Sequence, residues 1–233
     1  KLAKINFSQI NLIVSTGITY NKLTETLKKY FNQNFGCCPK IILVHHQLGH
    51  IAAAFYSSGF KEATCISLDG FGDQKSGLIA EVSLKNGIKK IEYVEENNSL
   101  GNFYTMVTEY LGYATGDEYK VMGLAAYGKN NLDFSKVIKI NLKYWKFDTS
   151  YHSRRESPYL DTYSKKLIKE FKNYRRKPNE KINYFHKNFA ASAQAIANRG
   201  LVKIFKYAKN LSKFKGKVCF VGGVALNCTA VKE

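Results

Sequence analysis

The sequence predicts a mixed α/β fold, and three features of the chain carry this prediction. Short apolar runs alternate with helical patterns over the first sixty residues. Three consecutive strand-like segments follow between residues 63 and 94. Near the end of the chain, a further apolar run precedes two glycines and the start of a new helix. These patterns are typical of a β-sheet and helices that pack as layers.

The first part of the chain predicts two strands, each followed by a helix. A short buried strand is expected over residues 10–15, and Thr19 or Asn21 can cap the helix that follows it. A second strand is expected over 40–45 and a second helix over 47–58. This strand–helix–strand–helix order is the opening pattern of an α/β layer.

Residues 63–94 predict an antiparallel meander and not a strand–helix–strand unit. Strands are expected over 63–68, 77–84 and 89–94, and Asn86-Gly87 is a strong hairpin signal between the last two. The first two strands are joined by the segment Asp69-Gly70-Phe71-Gly72-Asp73. Its glycines can place backbone N–H groups against a phosphate, although such a turn equally fits an ordinary hairpin.

A glycine-rich stretch follows the next predicted helix, which Ser99 can cap and which reaches Leu111. Residues 112–128 combine charges, aromatic side chains and four glycines. One interpretation is a connection between two helices. The other is a loop that holds a ligand, with Lys120 available for an anion.

The remaining chain predicts an irregular segment, a long helix and a strand. Residues 130–180 have little pattern and are interpreted as an insertion or cap, whereas residues 183–208 carry a long amphipathic helical pattern. A buried strand over 217–221 leads into Gly222-Gly223 and a new helix. Backbone amides and the helix dipole favour a phosphate or nucleotide at such a turn, but a pair of glycines alone is not specific.

Composition argues for a packed domain with reduced cysteines. Hydrophobic residues make up 45% of the 233 residues, so a core is expected. The formal charge of +18 could suit an anionic partner, but the lysines are spread along the chain, as in proteins from AT-rich genomes. Five cysteines without a CxxC motif, together with no signal peptide and no long apolar run, predict a cytoplasmic protein without a membrane span.

Three of the five histidines lie within six residues, where the second strand gives way to a helix. His46 and His50 are four residues apart and therefore project from one helical face. Together with Asp69 they form a plausible site for a divalent transition metal. A structural histidine cluster is the competing interpretation. His45 must point elsewhere and is a candidate for orienting a ligand or acting as a base.

Four stretches of the chain together resemble a known family. They are Val44-His45-His46-Gln47-Leu48-Gly49-His50-Ile51-Ala52-Ala53-Ala54-Phe55-Tyr56, Asp69-Gly70-Phe71-Gly72-Asp73, Gly116-Asp117-Glu118-Tyr119-Lys120-Val121-Met122-Gly123-Leu124-Ala125-Ala126-Tyr127-Gly128, and Gly222-Gly223-Val224-Ala225-Leu226-Asn227-Cys228. In order and spacing they resemble the N-terminal, threonylcarbamoyl-transferase-like domain of the O-carbamoyltransferases of the NodU and cephalosporin/tobramycin type. The third stretch is the most specific of the four.

The resemblance implies a fold and a reaction. The fold is that of the actin/sugar-kinase/Hsp70-like (RNase H-like) ATPase superfamily, expected here to be incomplete at both ends. In the family a YrdC-like domain, expected to lie outside this chain, makes carbamoyl adenylate from ATP and carbamoyl phosphate. The N-terminal domain then passes the carbamoyl group to a hydroxyl of a small-molecule or sugar acceptor.

The resemblance also implies roles for individual residues. His46, His50 and Asp69 match the metal ligands, and a further aspartate ligand is expected outside this chain. Fe(II) is the ion that the family implies, while Zn²⁺ or Mn²⁺ also suit these ligands. Gly222, Gly223 and Asn227 match the nucleotide side of the site, and Gly70 and Gly72 are assigned to it as well because their turn can place backbone N–H groups against a phosphate. Tyr119 and Lys120 are proposed for anion or substrate contacts, beside His45.

Two other functions stay open from the sequence. The transferase that forms threonylcarbamoyladenosine in tRNA shares the histidine pair, and the basic composition would suit tRNA. Against it stands the stretch 116–128, which belongs to the O-carbamoyltransferases, so a nucleic-acid partner is not expected. A degenerate fragment that binds a nucleotide or partner without turnover is the non-enzymatic alternative. The predicted division is a first lobe over 1–130, an insertion or cap over 131–182, and the start of a second lobe over 183–233.

Overall fold

The computed structural model describes residues 5–153 and 162–232, and it has the predicted α/β class. The chain opens with β1 (Leu12–Thr16), α1 (Leu23–Phe35), β2 (Lys40–Val44) and α2 (His46–Ser57). Strands β1 and β2 pair in parallel as a two-stranded sheet. The predicted strand–helix–strand–helix order is therefore confirmed.

Helix α1 begins differently from the prediction. Its N-cap is Lys22, which adopts a left-handed conformation with φ of 60° and makes no side-chain capping bond. Thr19, one of the two predicted caps, instead hydrogen-bonds to the carboxylate of Asp73. A side chain that can cap a helix can also bind a partner that is distant in sequence. Thr19 binds Asp73 and therefore does not cap α1.

The main sheet contains the predicted meander. Strands β3 (Glu62–Gly72), β4 (Lys75–Ser83) and β5 (Gly87–Glu95) are consecutive antiparallel neighbours. Asp73 and Gln74, the two residues between β3 and β4, both have positive φ, which is the requirement of the two-residue hairpin turn that matches strand twist. Strand β3 continues through the segment that the sequence assigned to a turn, so Asp69 and Gly70 lie within a strand.

Helices cover both faces of this sheet. The next elements are α3 (Leu100–Tyr110), α4 (Glu118–Ala125), β6 (Ile138–Ile140), β7 (Trp145–Phe147), α5 (Lys165–Glu170), α6 (Tyr184–Leu211), β8 (Val218–Val221) and α7 (Cys228–Val231). Helix α2 packs on one face of the sheet, whereas α3 and α6 pack on the other. Burial on both faces explains why β4 reads as a nearly continuous apolar run.

Strand β8 joins the edge of this sheet next to β3. The two strands are parallel, and Cys65 lies opposite Cys219. The sheet order is therefore β5-β4-β3-β8, so residues 62–95 and 218–221 share one sheet. An antiparallel meander followed by a parallel strand is consistent with the actin-like class that the resemblance implies. The division into three parts at residues 130 and 182 stays a prediction, and its first and last parts meet in this sheet.

The irregular segment contributes to the core. Phe134, Trp145 and Leu167 are buried among side chains of α3 and α6. The indole N–H of Trp145 donates to the backbone oxygen of Asn98 at 2.7 Å, which joins the β6–β7 hairpin to the 3₁₀ turn Glu96–Asn98 that follows β5. In the described part of the chain, no helix has the length and apolarity needed to cross a membrane.

Glu92 on β5 links the sheet to the hairpin and to α6. Its carboxylate accepts hydrogen bonds from Tyr207 at 2.7 Å, Lys143 at 3.0 Å and Tyr144 at 3.3 Å. Burial by itself raises the pKa of Glu92, but the bonds from Tyr207 and Lys143 outweigh it and hold this pKa below its ordinary value of 4.5. The ionised form is therefore favoured by folding.

Replacing Glu92 by Gln is expected to lower the free energy of unfolding by about 1 kcal/mol at pH 7. Because the pKa of Glu92 is lower in the folded protein, the ionised carboxylate stabilises the fold above about pH 4.5. This stabilisation is lost as the pH falls through the pKa of Glu92 in the folded state. The difference between the wild type and Glu92→Gln should therefore narrow below pH 4.5, as measured by urea unfolding across pH. Exposed Glu25→Gln is the control, and an equal pH response in both variants would contradict the prediction.

Candidate functional site

The strand-to-helix turn after β2 positions the paired histidines. His45 has an extended backbone with φ of −63° and ψ of 135°, and its imidazole Nδ1 accepts the N–H of Gln47 at 3.2 Å. This bond makes His45 the N-cap of α2. His46 and His50 lie one turn apart on that helix, so their rings project together toward β3.

The two histidine rings and Asp69 converge on one point. His46 Nε2 lies 2.9 Å and His50 Nε2 lies 3.0 Å from the same oxygen, Asp69 Oδ2. The two Nε2 atoms lie 3.0 Å from each other, and the rings are nearly perpendicular, at 85°. About a quarter to a third of each side chain is exposed, so the cluster is reachable from solvent.

This arrangement fits a bound cation. Ligand atoms of His46, His50 and Asp69 all lie within 4.8 Å of one another, and two imidazole nitrogens with one carboxylate oxygen suit a transition metal. Two unprotonated ring nitrogens 3.0 Å apart would repel each other, and a single proton cannot satisfy all three contacts. A cation among the three atoms satisfies them together. The predicted ligands are thus brought together as the prediction requires.

Electrostatics keep the carboxylate ionised. Burial by itself raises the pKa of Asp69, but hydrogen bonds from His50, His46 and the Gly70 N–H hold this pKa well below its ordinary value. The Gly70 N–H donates to Asp69 Oδ1 at 2.8 Å, which leaves Oδ2 directed at the histidines. The side chain therefore presents a charged oxygen in a fixed orientation.

Asp73 is a site residue to which the sequence analysis assigned no role. Its Oδ2 accepts the backbone N–H of His46 at 2.7 Å and that of Gly17 at 3.1 Å. Its Oδ1 accepts the N–H and the hydroxyl of Thr19 at 3.0 and 2.8 Å. Only 4% of Asp73 is exposed. One carboxylate thus joins the start of α2, the loop after β1 and the β3–β4 turn.

Two glycines allow a close approach to the metal ligands. A Cβ on Gly72 would lie 2.3 Å from Cγ and Cδ2 of His46, and a Cβ on Gly223 would lie 2.8 Å from Asp69 Oδ1. Gly222 has φ of 96°, and a Cβ there would lie 2.2 Å from the backbone oxygen of Leu68. Gly72 therefore makes room for a ligand side chain, which differs from the nucleotide contact proposed for it.

A cavity with a volume of about 440 Å³ opens beside Asp69. We call it the donor cavity, and it is lined by Asp69, Gly70, Leu100, Gly101, Tyr104, Thr105, Thr115, Gly116, Glu118, Tyr119, Met122, Ala197, Gly223, Val224, Leu226, Asn227 and Ala230. Its walls thus join β3 at Asp69 and Gly70, the 116–128 stretch and the Gly222-Gly223 turn. The lining is mainly apolar, with a few polar groups, as in sites for small molecules.

A polar network supports one wall of the donor cavity. The Tyr104 hydroxyl donates to Gln194 Oε1 at 2.6 Å, and Gln194 Nε2 donates to Asn227 Oδ1 at 2.9 Å. Asn227 Oδ1 also accepts the N–H of Ala230 and thereby caps α7. Gln194 went unnoticed in the sequence, although a glutamine within the long apolar helix was a visible signal.

The structure gives the three residues predicted for catalysis different surroundings. His45 caps α2, its ring lies 4.9 Å from that of Tyr93, and burial lowers the pKa of His45, so the imidazole is neutral at pH 7. Lys120 pairs with Asp117 at 3.0 Å, and this ion pair raises the pKa of Lys120. Tyr119 lines the donor cavity. Their catalytic roles stay predictions.

Comparison with known proteins gives relatives that are longer than this chain. Nodulation protein NolNO of Sinorhizobium fredii is 33% identical over 190 residues, which are 82% of this chain and 26% of NolNO. Nodulation protein NolO of Bradyrhizobium diazoefficiens is 33% identical over 185 residues, 79% of this chain and 32% of NolO. The chain therefore spans about a quarter to a third of the length of these relatives.

The chain was also compared with solved structures and with protein families. Among solved structures, HypF of T. kodakarensis matches 96% of this chain and 40% of its own, with 12% identity and a TM-score of 0.40. The family described as "Carbamoyltransferase N-terminus" matches residues 9–232, which is nearly the whole sequence. By this match, and by its identity with NolNO and NolO, the chain belongs to the carbamoyltransferase N-terminus family.

Proposed function

We propose that this chain carries the site at which a carbamoyl group passes from carbamoyl adenylate to a hydroxyl of a small-molecule or sugar acceptor. The observation that supports the proposal most is the position of Asp69. Its side chain meets His46 and His50, and the same residue lines the donor cavity. A metal held there would lie at the edge of a space large enough for a nucleotide-sized donor.

His46, His50 and Asp69 would hold a divalent metal through two Nε2 atoms and one carboxylate oxygen. When bound, such an ion supplies Lewis-acid and charge-neutralising chemistry for a phosphate or carbonyl oxygen. Fe(II) is our first choice, with Zn²⁺ and Mn²⁺ as chemically suitable alternatives. Asp73 keeps His46 in place through the backbone of the first residue of α2.

The transfer exchanges one bond at the carbamoyl carbon for another. The acceptor oxygen bonds to this carbon, the bond between the carbon and the phosphate oxygen breaks, and AMP leaves. The hydroxyl proton passes to a base, for which His45 is our candidate. Because its Nδ1 accepts the N–H of Gln47, the neutral ring carries its proton on Nε2, so Nδ1 would have to release Gln47 to take up the proton. Gly70 and Gly223 would allow the donor to approach Asp69 closely, while Tyr104 and Met122 offer apolar surface to the adenosine.

Metal content of the purified chain tests the proposal first. After anaerobic loading with Fe(II), and separately with Zn²⁺, we expect about one ion per chain by elemental analysis. In His46→Ala the affinity should fall by more than the roughly 10–100-fold typical for residues that only orient a ligand. The control His186→Ala changes a buried histidine that bonds to Asn183 on α6, away from the cluster, and should retain the metal.

Two outcomes would favour the other functions. Less than about a tenth of an ion per chain, unchanged in His46→Ala, would support a fragment that binds a nucleotide or partner without turnover. Incubation with tRNA and threonylcarbamoyl adenylate tests the other enzyme, and the appearance of modified adenosine would contradict O-carbamoyl transfer. Titration with AMP then tests the donor cavity by itself.

A further inference from the structure

A buried carboxylate outside the metal cluster joins separate segments of the chain. Glu109 lies in the last turn of α3, and only 8% of it is exposed. Its Oε1 accepts a hydrogen bond from the hydroxyl of Thr115 at 2.5 Å. Its Oε2 accepts the backbone N–H and the hydroxyl of Thr162 at 2.7 and 2.6 Å. One carboxylate, to which the proposed transfer assigns no role, therefore holds two segments that are distant in sequence.

The segment on the Oε1 side forms a wall of the donor cavity. Thr115 and Gly116 line this cavity, as do Thr105 on α3 and Glu118 at the start of α4. The hydroxyl of Thr105 donates to Glu118 Oε1 at 2.8 Å. Thr105 and Glu109 are four residues apart and therefore share one face of α3. Helix α3 thus holds this wall at two points, through Thr115 and through Glu118.

The segment on the Oε2 side belongs to the irregular part of the chain that contributes to the core. Thr162 is buried, and its backbone oxygen accepts the N–H of Ser153 at 2.8 Å. The ring of the next residue, Tyr163, packs edge-on against that of Tyr110 on α3, with the centroids 5.2 Å apart. Thr162 does not itself line the donor cavity, and the carboxylate of Glu109 links it to the cavity wall.

A shared carboxylate couples its partners because one position of the side chain serves both. Both oxygens of Glu109 act as acceptors, which is the hydrogen-bonding pattern of an ionised carboxylate. Hydrogen bonds to such a group are stronger than those between neutral groups, and the loss of a buried partner is costly. A ligand that keeps Thr115 in place therefore also keeps the carboxylate in place, and the carboxylate in turn keeps its bonds to Thr162.

We propose that Glu109 couples the donor cavity to the segment that begins at Thr162, so that nucleotide binding and the hydrogen bonds of Thr162 stabilise each other. Glu109 is a positioning residue that acts through Thr115 and touches no substrate. This inference rests on the proposed function, because it takes the ligand of the donor cavity to be a nucleotide. The coupling is reciprocal: whatever AMP adds to the stability of the Thr162 bonds, these bonds add to the affinity for AMP.

Calorimetric titration of the 233-residue chain with AMP tests one direction of the coupling. Thr115→Val removes the hydroxyl that bonds to Glu109 and keeps the shape of the side chain, so the affinity for AMP should fall about fivefold or more, the lower limit typical of coupled sites. Thr162→Val removes a hydroxyl from the other carboxylate oxygen, away from the cavity, and should also weaken AMP binding. Thr115→Ser keeps the hydroxyl and should retain most of the affinity.

Amide hydrogen exchange measures the reverse direction of the coupling. The backbone N–H of Thr162 donates to Glu109 Oε2. Saturating AMP should therefore slow its exchange about fivefold or more in the wild type, since the exchange of a bonded amide follows the free energy of local opening. In Thr115→Val the link to the cavity wall is cut, and AMP should have little effect on this exchange.

The control is Thr64→Val near the start of β3, which removes a buried hydroxyl that bonds to the backbone oxygen of Phe214. It should leave the affinity for AMP unchanged, and an equal loss in Thr64→Val and Thr115→Val would overturn the coupling. Equal affinities in the wild type, Thr115→Val and Thr162→Val, or exchange at Thr162 that does not respond to AMP, would also overturn it and leave the nucleotide site in place. Absence of AMP binding by the wild type would refute the nucleotide site of the proposed function, and the coupling with it.

Discussion

Gly72→Ala is expected to lower the metal affinity of the chain by roughly 100-fold, although it adds a single methyl group and removes no ligand. The new Cβ would lie 2.3 Å from ring atoms of His46 and 2.8 Å from its Cβ. The contact near the His46 backbone cannot be relieved by rotating the ring alone. His46 must therefore leave its place beside Asp69 and His50, or β3 must shift.

The same substitution should also destabilise the chain by about 1–3 kcal/mol, the usual range for overpacking. Metal affinity is measured by competition with a chromophoric chelator, and the free energy of unfolding by urea titration without metal. Gly123→Ala is the matched control, because no atom lies within 4 Å of its added Cβ and its backbone is helical. It should leave metal affinity unchanged and stabilise α4 slightly.

A double-mutant cycle separates this clash from a general effect on β3. His46→Ala removes the ring that the new methyl group would meet. In that background the two ring contacts disappear and only the 2.8 Å contact with the Cβ at position 46 remains, so Gly72→Ala should cost less stability, with a coupling energy of at least about 1 kcal/mol. Additive effects of the two substitutions would show that the methyl group disturbs the strand and not the histidine.

The candidate metal site could be predicted from sequence because its determinants are local. His46 and His50 share a helical face through their spacing alone, and Asp69 follows directly after the strand predicted over 63–68, although it lies within β3 in the structure. The meander over residues 63–94 was similarly visible, since hairpins join neighbours in sequence. What no local pattern could give is the register of Cys65 with Cys219, which lie 154 residues apart in the chain and pair in parallel.

The residues that support the site were harder to predict because their contacts join parts of the chain that are distant in sequence. Asp73 and Thr19 look like ordinary turn and cap residues, and each has a local role that would satisfy it. The pairing of β1 with β2 and the packing of α2 against β3 together bring Thr19, Gly17 and His46 to one carboxylate. Gln194 is a comparable case, since its partners Tyr104 and Asn227 come from other elements.

The stretch 112–128 both connects two helices and lines a cavity, while its role in holding a ligand stays a prediction. It does connect helices, because α4 occupies Glu118–Ala125, and the loop is therefore shorter than the glycines suggested. It also faces a ligand-sized space, because Gly116, Tyr119 and Met122 line the donor cavity. Lys120 instead pairs with Asp117. Helical spacing decides which of these side chains face the cavity, and that spacing was hidden while the segment was treated as a loop.

Asp73→Asn is expected to lower the free energy of unfolding by about 2–4 kcal/mol, although the two side chains have nearly the same shape. Each carboxylate oxygen of Asp73 accepts two hydrogen bonds, and at least one donor of each pair is a backbone N–H. An asparagine must direct its NH₂ group toward one of these pairs. Whichever way the amide turns, a buried backbone N–H loses its acceptor and faces another donor.

In Asp73→Asn the metal affinity should fall together with the free energy of unfolding. Since Asp73 holds the first residue of α2, the variant should bind metal roughly tenfold more weakly. Urea unfolding and chelator competition measure the two effects on the same samples. The control is Asp133→Asn, an exposed carboxylate that bonds to Ser135 within its own turn and whose replacement should change the free energy of unfolding far less.

Metal affinity and the free energy of unfolding together show whether Asp73 positions His46 or only stabilises the fold. If Asp73 only stabilised the β3–β4 turn, Asp73→Asn would lower the free energy of unfolding and leave the metal affinity of the folded chain unchanged. If it fixes His46, Thr19→Val should reproduce part of the stability loss but little of the metal effect, because Thr19 shares the carboxylate without contacting α2 through it. A metal affinity that falls in Asp73→Asn but not in Thr19→Val would therefore assign the positioning of His46 to the bond between Asp73 Oδ2 and the His46 N–H.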